Sequence, residues 1–193
     1  MIVEAVVVAA GYSSRAGAFK PGLDVLGKTV LERCVAGLAA HCSRIIVVGG
    51  YRIERVREIL APDSKVEIVF NPRYPEGMFT SVQAGMRRVR GDRILFTPGD
   101  YPLLSSEVCH RLLQEDGEIV IPVFQGRKGH PIVLSGRMAA AVAREDSGSN
   151  LRAFIQKQGF RTLEVDDEGI LIDLDTPEDY TKILERHQQR ITK

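Results

Sequence analysis

The feature that most constrains the fold of this chain is an alternation of two kinds of segment. Short runs rich in valine and isoleucine alternate with longer stretches in which apolar residues recur at helical spacing. This alternation is typical of an α/β protein with a mostly parallel twisted sheet and helices on both faces. Because 193 residues is the length of one ordinary domain, we predict a single domain over residues 1–193.

The predicted elements follow one another without a repeat or a linker between them. Strands are predicted at Ile2–Ala10, Arg44–Val48, Val66–Phe70, Arg93–Thr97, Glu118–Val123, Ile132–Leu134, Arg161–Val165 and Ile170–Leu174. Helices are predicted at Thr29–Ala40, Ile53–Leu60, Thr80–Val89, Ser105–Gln114, Gly136–Arg144, Asn150–Gln158 and Pro177–Arg190, the last capped by Thr176. Ligands of open α/β sheets bind beyond the carboxyl ends of the strands, so a site is expected in the loops that follow strands.

Charge and cysteine content exclude several classes of function. The formal net charge is +1 at pH 7, so no general attraction to nucleic acid or to a membrane surface is expected. The three cysteines, Cys34, Cys42 and Cys109, are widely separated, which favours neither a disulfide framework nor a thiolate metal site. The apolar N-terminal stretch contains Glu4 and lacks a basic leader, and no apolar run reaches the ~20 residues of a membrane span. We therefore expect a cytoplasmic protein without nucleic-acid or membrane partners.

The loop after the first predicted strand is the strongest candidate for a binding site. Residues 9–20 read AAGYSSRAGAFK and combine two glycines, two hydroxyl side chains and two cations: Gly11, Gly17, Ser13, Ser14, Arg15 and Lys20. Glycines let backbone N–H groups approach an anion closely, and the hydroxyls and fixed positive charges add further anion ligands. This combination predicts a cradle for a polyphosphate. The alternative is a polar turn that binds nothing.

A second glycine-rich stretch competes with the first as a phosphate loop. Residues 22–29, GLDVLGKT, match the Walker A pattern G-x-x-x-x-G-K-[ST]. A P-loop leaves a buried strand directly and opens a helix, whereas this stretch begins well beyond the first predicted strand. We interpret Gly27 and Lys28 as a turn and Thr29 as the cap of the next helix. The alternative is a P-loop NTPase that uses Lys28.

Acidic side chains follow two of the predicted strands. Asp100 comes after the strand in RILFTPGD, and Asp173 and Asp175 lie two residues apart at the end of the last predicted strand, on one face of it. Carboxylates in these positions suit a hard cation such as Mg²⁺ beside phosphates. The alternatives are ordinary turn chemistry for Asp100 and capping of the final helix by Asp175.

Together, these loops resemble the MobA-like nucleotidyltransferases, which have a Rossmann-like fold, and within them the molybdenum cofactor cytidylyltransferases. The resemblance covers essentially the whole chain. It rests on VVVAAGYSSRAGAFK near the N-terminus, NPRYPEGMFTSVQAG at 71–85, TPGDYPL at 97–103, GRKGHPIVL at 126–134 and DLDTPEDY at 173–180. It implies that CMP is transferred from CTP to the terminal phosphate of molybdopterin, with release of pyrophosphate and a requirement for Mg²⁺.

The same resemblance assigns roles to individual residues of this chain. Nucleotide binding is implied for Ala9, Ala10, Gly11, Ser13, Ser14, Arg15, Gly17, Lys20, Gly77, Ser81 and Gly85. Catalytic roles are implied for Arg15, Lys20 and Asp100, and metal binding for Asp100 and Asp175, with Asp173 as the alternative second ligand. Contact with the pterin is implied for Gly129, His130 and Pro131, although His130 in a tight turn is also typical of a structural histidine.

The sequence also bears on the base of the nucleotide and on the phosphate acceptor. Ala10-Gly11 resembles the CTP-using members, since the GTP-using members tend to have Gly-Gly at this point, so we prefer CTP over GTP. A sugar phosphate or phospholactate offers the same attacking group as molybdopterin and remains an alternative acceptor. A carrier that binds nucleotide or cofactor without turnover is an alternative of another class. Transient contact with a molybdoenzyme is a further expectation.

Overall fold

The computed structural model describes residues 1–12, 19–61, 63–146 and 148–191. Its strands are β1 (Val3–Ala9), β2 (Asp24–Val25), β3 (Lys28–Thr29), β4 (Arg44–Gly49), β5 (Val66–Phe70), β6 (Arg93–Pro98), β7 (Ile119–Phe124), β8 (Arg127–Lys128), β9 (Ile132–Ser135) and β10 (Arg161–Glu164). Its helices are α1 (Val30–Ala39), α2 (Ile53–Leu60), α3 (Met78–Met86), α4 (Ser106–Gln114), α5 (Gly136–Arg144), α6 (Leu151–Gln158) and α7 (Pro177–Ile191). Within the described ranges, no helix is both long and apolar enough to cross a membrane.

The main sheet is mostly parallel, as predicted. Its strand order is β10-β7-β9-β6-β1-β4-β5, and β8 pairs with β7 outside this order. Parallel pairing joins β1 to β4 and β6, β4 to β5, and β10 to β7, whereas β9 runs antiparallel to both of its neighbours. In the pairing of the two central strands, Val8 of β1 lies opposite Pro98 of β6. The segments that leave these strands therefore emerge side by side at one edge of the sheet.

Strand β1 shows why the sheet needs helices on both faces. Alternate side chains of a strand point to opposite faces. Ala5 and Val7 belong to one buried cluster with residues of α1, α2 and α4, and Val6 and Val8 belong to a second cluster with residues of α3, α5 and α6. Because all four side chains are at most 7% exposed, the strand reads as a continuous apolar run rather than an alternating one.

The predicted strand at Ile170–Leu174 is wrong. The chain forms a 3-10 turn at Glu168–Leu171, and the carboxylate of Asp167 accepts a hydrogen bond from a backbone N–H of this turn at 2.8 Å. Ile170 and Leu174 are each 1% exposed. The apolar residues that suggested a strand are therefore individual core side chains on an irregular segment. Their backbone groups bond to loops instead of a neighbouring strand, which is why no ladder forms.

The Walker-like stretch is a turn, as interpreted from the sequence. Strands β2 and β3 form a short antiparallel hairpin whose turn places Gly27 at a φ of 84°. The Thr29 hydroxyl accepts a hydrogen bond from the N–H of Glu32, whose carboxylate accepts one from the N–H of Thr29 in return. This reciprocal capping box starts α1 and occupies N–H groups that a phosphate loop would offer to its ligand.

Candidate active site

A cavity of about 290 Å³ opens at the carboxyl ends of β1 and β6. Parallel strands present their C-terminal loops at this edge, which is where ligands of α/β sheets bind. Seven of the residues predicted from the sequence line it: Ala9, Ala10, Gly11, Lys20, Ser81, Asp100 and Asp175. Chain segments that are far apart in sequence therefore meet in one small cavity.

Three carboxylates form a cluster beside this cavity, and two of them, those of Asp100 and Asp175, line it. One oxygen from each of Asp100, Asp173 and Asp175 lies within 4.8 Å of the other two. The convergence has a simple structural cause, since the N–H of Leu174 donates to the carbonyl of Asp100 at 2.9 Å. The Leu174 side chain is buried among apolar residues of α1 and α7, so the two flanking carboxylates are held against the loop after β6.

The electrostatics of this cluster suit a divalent cation. Burial, and then the neighbouring Asp173, raise the pKa of Asp100 to about 6, and burial also raises the pKa of Asp173. Oδ1 of Asp100 is buried and has no hydrogen-bond partner among the described residues. Grouped carboxylate oxygens with an unsatisfied lone pair are the ligand set that Mg²⁺ and Mn²⁺ prefer.

The raised pKa of Asp100 predicts a pH-dependent stability. The folded protein holds this proton more tightly than the unfolded chain does, so the proton stabilises the fold below about pH 4, and that stabilisation is lost as the pH rises through about 6. The loss is on the order of 3 kcal/mol, since each tenfold change in proton affinity corresponds to about 1.36 kcal/mol. Denaturation in a chelating buffer should therefore find Asp100→Asn more stable than wild type at pH 7.5 but not at pH 3.5, where both states of the wild-type carboxyl are protonated. An equal difference at the two pH values would contradict this origin.

Lys20 is the described cation that faces the carboxylates. It starts a short 3-10 turn at Lys20–Gly22, in which Pro21 is buried. Its side chain is 12% exposed, and Nζ lies 2.5 Å from Oδ1 of Asp175. Asp175 therefore holds the lysine toward the cavity, while Thr176 and Asp179 provide the capping hydrogen bonds of α7.

The other residues predicted to bind the nucleotide differ in their position relative to the cavity. Ser13, Ser14, Arg15 and Gly17 lie outside the described residues. Ser81 accepts a hydrogen bond from the side-chain amide of Asn71 at 2.9 Å within the cavity wall. Gly77 does not line the cavity; it precedes α3 at a φ of 121° and is followed by Met78, which does. Gly85 lies apart from the cavity, on the face of α3 that packs against the sheet.

The position of Gly85 predicts a packing role that can be tested. A Cβ at this position would lie 2.4 Å from Cγ1 of Val6 and 3.0 Å from Cγ2 of Val48. We expect Gly85→Ala to lower the free energy of unfolding by about 1–3 kcal/mol, because an extra methyl group would overpack the sheet. Gly11→Ala is the matched control, since a Cβ there has nothing within 4 Å. A smaller loss for Gly85→Ala than for Gly11→Ala in urea denaturation would contradict the packing role.

Sequence reasoning missed the aromatic rim of the cavity. The rings of Tyr12 and Tyr74 are 5.3 Å apart, and both residues line the cavity together with Met78, which is 62% exposed. Large exposed apolar side chains beside a polar cavity offer a stacking surface for a flat ligand. The available signal was the presence of tyrosines inside two of the quoted loop segments.

A second cavity, of about 510 Å³, adjoins the first. Gly129 and His130 line it, whereas Pro131 does not. A Cβ at Gly129 would lie 2.3 Å from the carbonyl oxygen of Ile170, so this glycine is required for close packing. The His130 ring lies 4.8 Å from that of Tyr101, and its Nδ1 is buried without a described partner. Burial lowers the pKa of His130 to about 4, which leaves the imidazole neutral at physiological pH.

Comparisons with known proteins agree with this geometry. The pattern of the MobA-like NTP transferase domain matches residues 5–163. A molybdenum cofactor cytidylyltransferase from Escherichia coli K12 is 32% identical over 97% of this chain and 98% of its own length. A solved nucleotidyl transferase from Methanothermobacter has a TM-score of 0.85 at 26% identity, covering 98% of this chain and 99% of that one. A manganese complex of a Mycobacterium tuberculosis H37Rv protein has a TM-score of 0.76 at 25% identity, covering 96% and 99%.

Proposed function

Because this chain belongs to the MobA-like NTP transferase family, we propose that it is a magnesium-dependent nucleotidyltransferase that transfers CMP from CTP to the terminal phosphate of a molybdopterin-type acceptor. The observation that supports this most strongly is the meeting of Lys20 with the carboxylates of Asp100 and Asp175 in one cavity, where Asp173 completes the carboxylate cluster. A cation and a cluster of metal-binding carboxylates at the end of a central strand are what a metal-bound triphosphate needs.

The reaction requires positioning more than proton transfer. An oxygen of the acceptor phosphate attacks the α-phosphorus of CTP, a new P–O bond forms, and the bond to the bridging oxygen of the β-phosphate breaks, so that pyrophosphate leaves with the electron pair. A phosphate monoester has a second pKa of about 6 and is mostly dianionic at neutral pH. No general base is therefore needed, and the protein contributes in-line alignment and positive charge.

The described residues divide these tasks. Asp100 would hold the cation, with Asp173 and Asp175 as further ligands. When bound, a divalent cation neutralises charge on the triphosphate and on the departing pyrophosphate. The ammonium group of Lys20, oriented by Asp175, would stabilise the same developing charge. Arg15 is proposed as a second cation of this kind on the basis of its position in the opening loop.

The preference for CTP rests on the wall of the cavity. Ala10 lines it and is 2% exposed, so its methyl group takes up space that a glycine would leave open to a larger base. Tyr12, Tyr74 and Met78 provide a rim on which a base can stack. The full-length similarity to a cytidylyltransferase supports the same choice. The proposed setting is cytoplasmic, with transient contact to a molybdoenzyme that receives the product.

A pyrophosphate-release screen tests the proposal. Each nucleoside triphosphate is combined with Mg²⁺ and with molybdopterin, glucose 1-phosphate or 2-phospholactate, and thermal shifts are recorded with CTP and GTP in parallel. We expect release with CTP and molybdopterin. Release with GTP would indicate a guanylyltransferase, and release with another acceptor would change the substrate. Nucleotide binding without pyrophosphate release from any pair would instead favour a carrier.

A further inference from the structure

Asn71 is the centre of a buried hydrogen-bond network behind the wall of the candidate active site. Asn71, Thr80 and Ser81 are 4%, 5% and 1% exposed. Nδ2 of Asn71 lies 2.9 Å from Oγ1 of Thr80 and 2.9 Å from Oγ of Ser81. Oδ1 of Asn71 accepts a hydrogen bond from the N–H of Arg73 at 3.0 Å. Because only the oxygen of an amide side chain can accept from an N–H, the two Nδ2 hydrogens face the two hydroxyls.

This arrangement determines where the hydroxyl hydrogen of Ser81 can go. Oγ of Ser81 already accepts from Asn71, so the hydroxyl is left with a hydrogen to donate. A serine in a helix commonly donates to the carbonyl four residues earlier, which here is that of Gly77. That carbonyl already accepts from the Thr80 hydroxyl at 2.9 Å, and within the described part of the chain no residue accepts from Oγ of Ser81. Because Ser81 lines the candidate active site, its hydrogen is available to a ligand there.

The hydrogen bonds of Asn71 also fix the position of this hydroxyl. The backbone N–H of Asn71 donates to the carbonyl of Gly49 at the end of β4 at 2.9 Å, and its carbonyl accepts from the N–H of Tyr74 at 3.3 Å. Every side-chain nitrogen and oxygen of Asn71 and Thr80 has a hydrogen-bond partner. A buried polar network whose members are all paired is rigid. Oγ of Ser81 is therefore held in one place on the cavity wall.

A hydroxyl that is fixed as a donor suits a nucleoside triphosphate, because phosphate oxygens are strong hydrogen-bond acceptors. Apart from the two tyrosines of the rim, the described side chains of this cavity that can donate are those of Lys20 and Ser81. The ionised carboxylates of Asp100 and Asp175 only accept. If Ser81 instead spent its hydrogen on a neighbouring side chain, it would present lone pairs to the oxygens of the ligand, and the two would repel each other.

We propose that Asn71 is a positioning residue for nucleotide binding: its amide keeps the Ser81 hydroxyl in the donor orientation, and this hydroxyl donates a hydrogen bond to an oxygen of the bound nucleoside triphosphate. The proposal rests on the proposed function for the identity of the ligand. Asn71 is not among the residues that line the cavity, so it acts through Ser81. A substitution that reverses the polarity of the amide should therefore withdraw the donor from the nucleotide.

Binding of CTP with Mg²⁺ and without an acceptor, measured by isothermal titration calorimetry, tests the proposal. Asn71→Asp keeps the shape of the side chain but replaces the two N–H donors by an acceptor, to which the Ser81 hydroxyl then donates. We expect Asn71→Asp and Ser81→Ala each to raise Kd for CTP by about tenfold, as for one lost hydrogen bond to a charged group. The double variant should bind no more than about twofold more weakly than either single variant, because both changes remove the same contact.

Thr80→Val is the matched control. It removes the other hydroxyl that the Asn71 amide contacts and keeps the shape of the side chain. It should therefore lower the free energy of unfolding while leaving Kd for CTP within about twofold of wild type. Should Asn71→Asp fail to fold by circular dichroism, Asn71→Leu takes its place in the same cycle. The expected increase in Kd is then about threefold, because the hydroxyl is free to turn away from the ligand.

Wild-type affinity in Asn71→Asp, or an equal loss of affinity in Thr80→Val, would overturn the proposal. So would a loss of about a hundredfold in the double variant, because a multiplied loss means that Asn71 acts independently of Ser81. If no pair of nucleotide and acceptor releases pyrophosphate, the proposed function fails, whereas this binding cycle still decides the role of Asn71. If wild type binds GTP but not CTP, the cycle is run with GTP, and a wild type that binds neither nucleotide overturns the proposal.

Discussion

Lys20→Ala is expected to lower kcat for pyrophosphate release by about 10²–10³-fold at saturating CTP and Mg²⁺, the cost of removing one preorganised donor from a charged transition state. The lysine is nearly buried, it faces the cavity, and Asp175 holds its Nζ at 2.5 Å. In the proposed reaction, its charge would therefore meet the charge that develops on the leaving pyrophosphate without reorganisation. Steady-state pyrophosphate release at several CTP concentrations separates this loss in kcat from a simple rise in KM.

Lys28→Ala is the matched control for this variant, since Lys28 belongs to the only segment that matches a Walker A pattern. It lies in the exposed hairpin of β2 and β3, away from the candidate active site. We expect activity within about twofold of wild type, because exposed charges remote from a site have small effects. An inactive Lys28→Ala protein beside a fully active Lys20→Ala protein would reverse the assignment of the phosphate-binding loop.

Asp100→Asn is expected to reduce activity by about a thousandfold, corresponding to about 4 kcal/mol of transition-state stabilisation, at any Mg²⁺ concentration that wild type tolerates. The variant keeps the shape of the side chain and removes the charge that the buried Oδ1 presents to the cavity. Its fold should be intact, because the charge it removes is repelled by Asp173. Activity loss together with unchanged or higher stability in a chelator thus separates a metal ligand from a structural residue.

Amide variants of the other two carboxylates of the cluster identify the second metal ligand. Asp173→Asn and Asp175→Asn are assayed for the Mg²⁺ concentration that gives half-maximal rate. The larger increase marks the stronger metal ligand, and Asp175→Asn should also lower kcat because it removes the ion pair with Lys20. Wild-type Mg²⁺ dependence in all three amide variants would exclude the cluster as the metal site.

The part of the site that follows the central strands could be predicted from the sequence. Loops that follow parallel strands meet at one edge of the sheet, so it is enough to identify the strands correctly. Asp100 and Lys20 are brought together for this reason. The approach of Asp173 and Asp175 was expected from a strand that does not exist. It depends instead on the buried Leu174 and one backbone hydrogen bond, and neither follows from local periodicity.

The role of individual glycines and the contacts between distant side chains could not be predicted from the sequence, for a different reason. A glycine in a sequence does not reveal whether a ligand or a neighbouring side chain needs the space, and Gly85 serves packing against Val6. The contact of Lys128 with Phe160 joins residues far apart along the chain, as does the rim formed by Tyr12 and Tyr74. Such contacts appear only once the register and the order of the strands are known.

The most direct test of the account is a crystal structure with Mn²⁺ and the α,β-methylene analogue of CTP, in which anomalous scattering locates the metal. The account predicts a manganese peak bound to Asp100 and to at least one of Asp173 and Asp175, with the triphosphate between the metal and Lys20. A metal and triphosphate bound at the hairpin of Lys28, or anywhere away from these carboxylates, would contradict it.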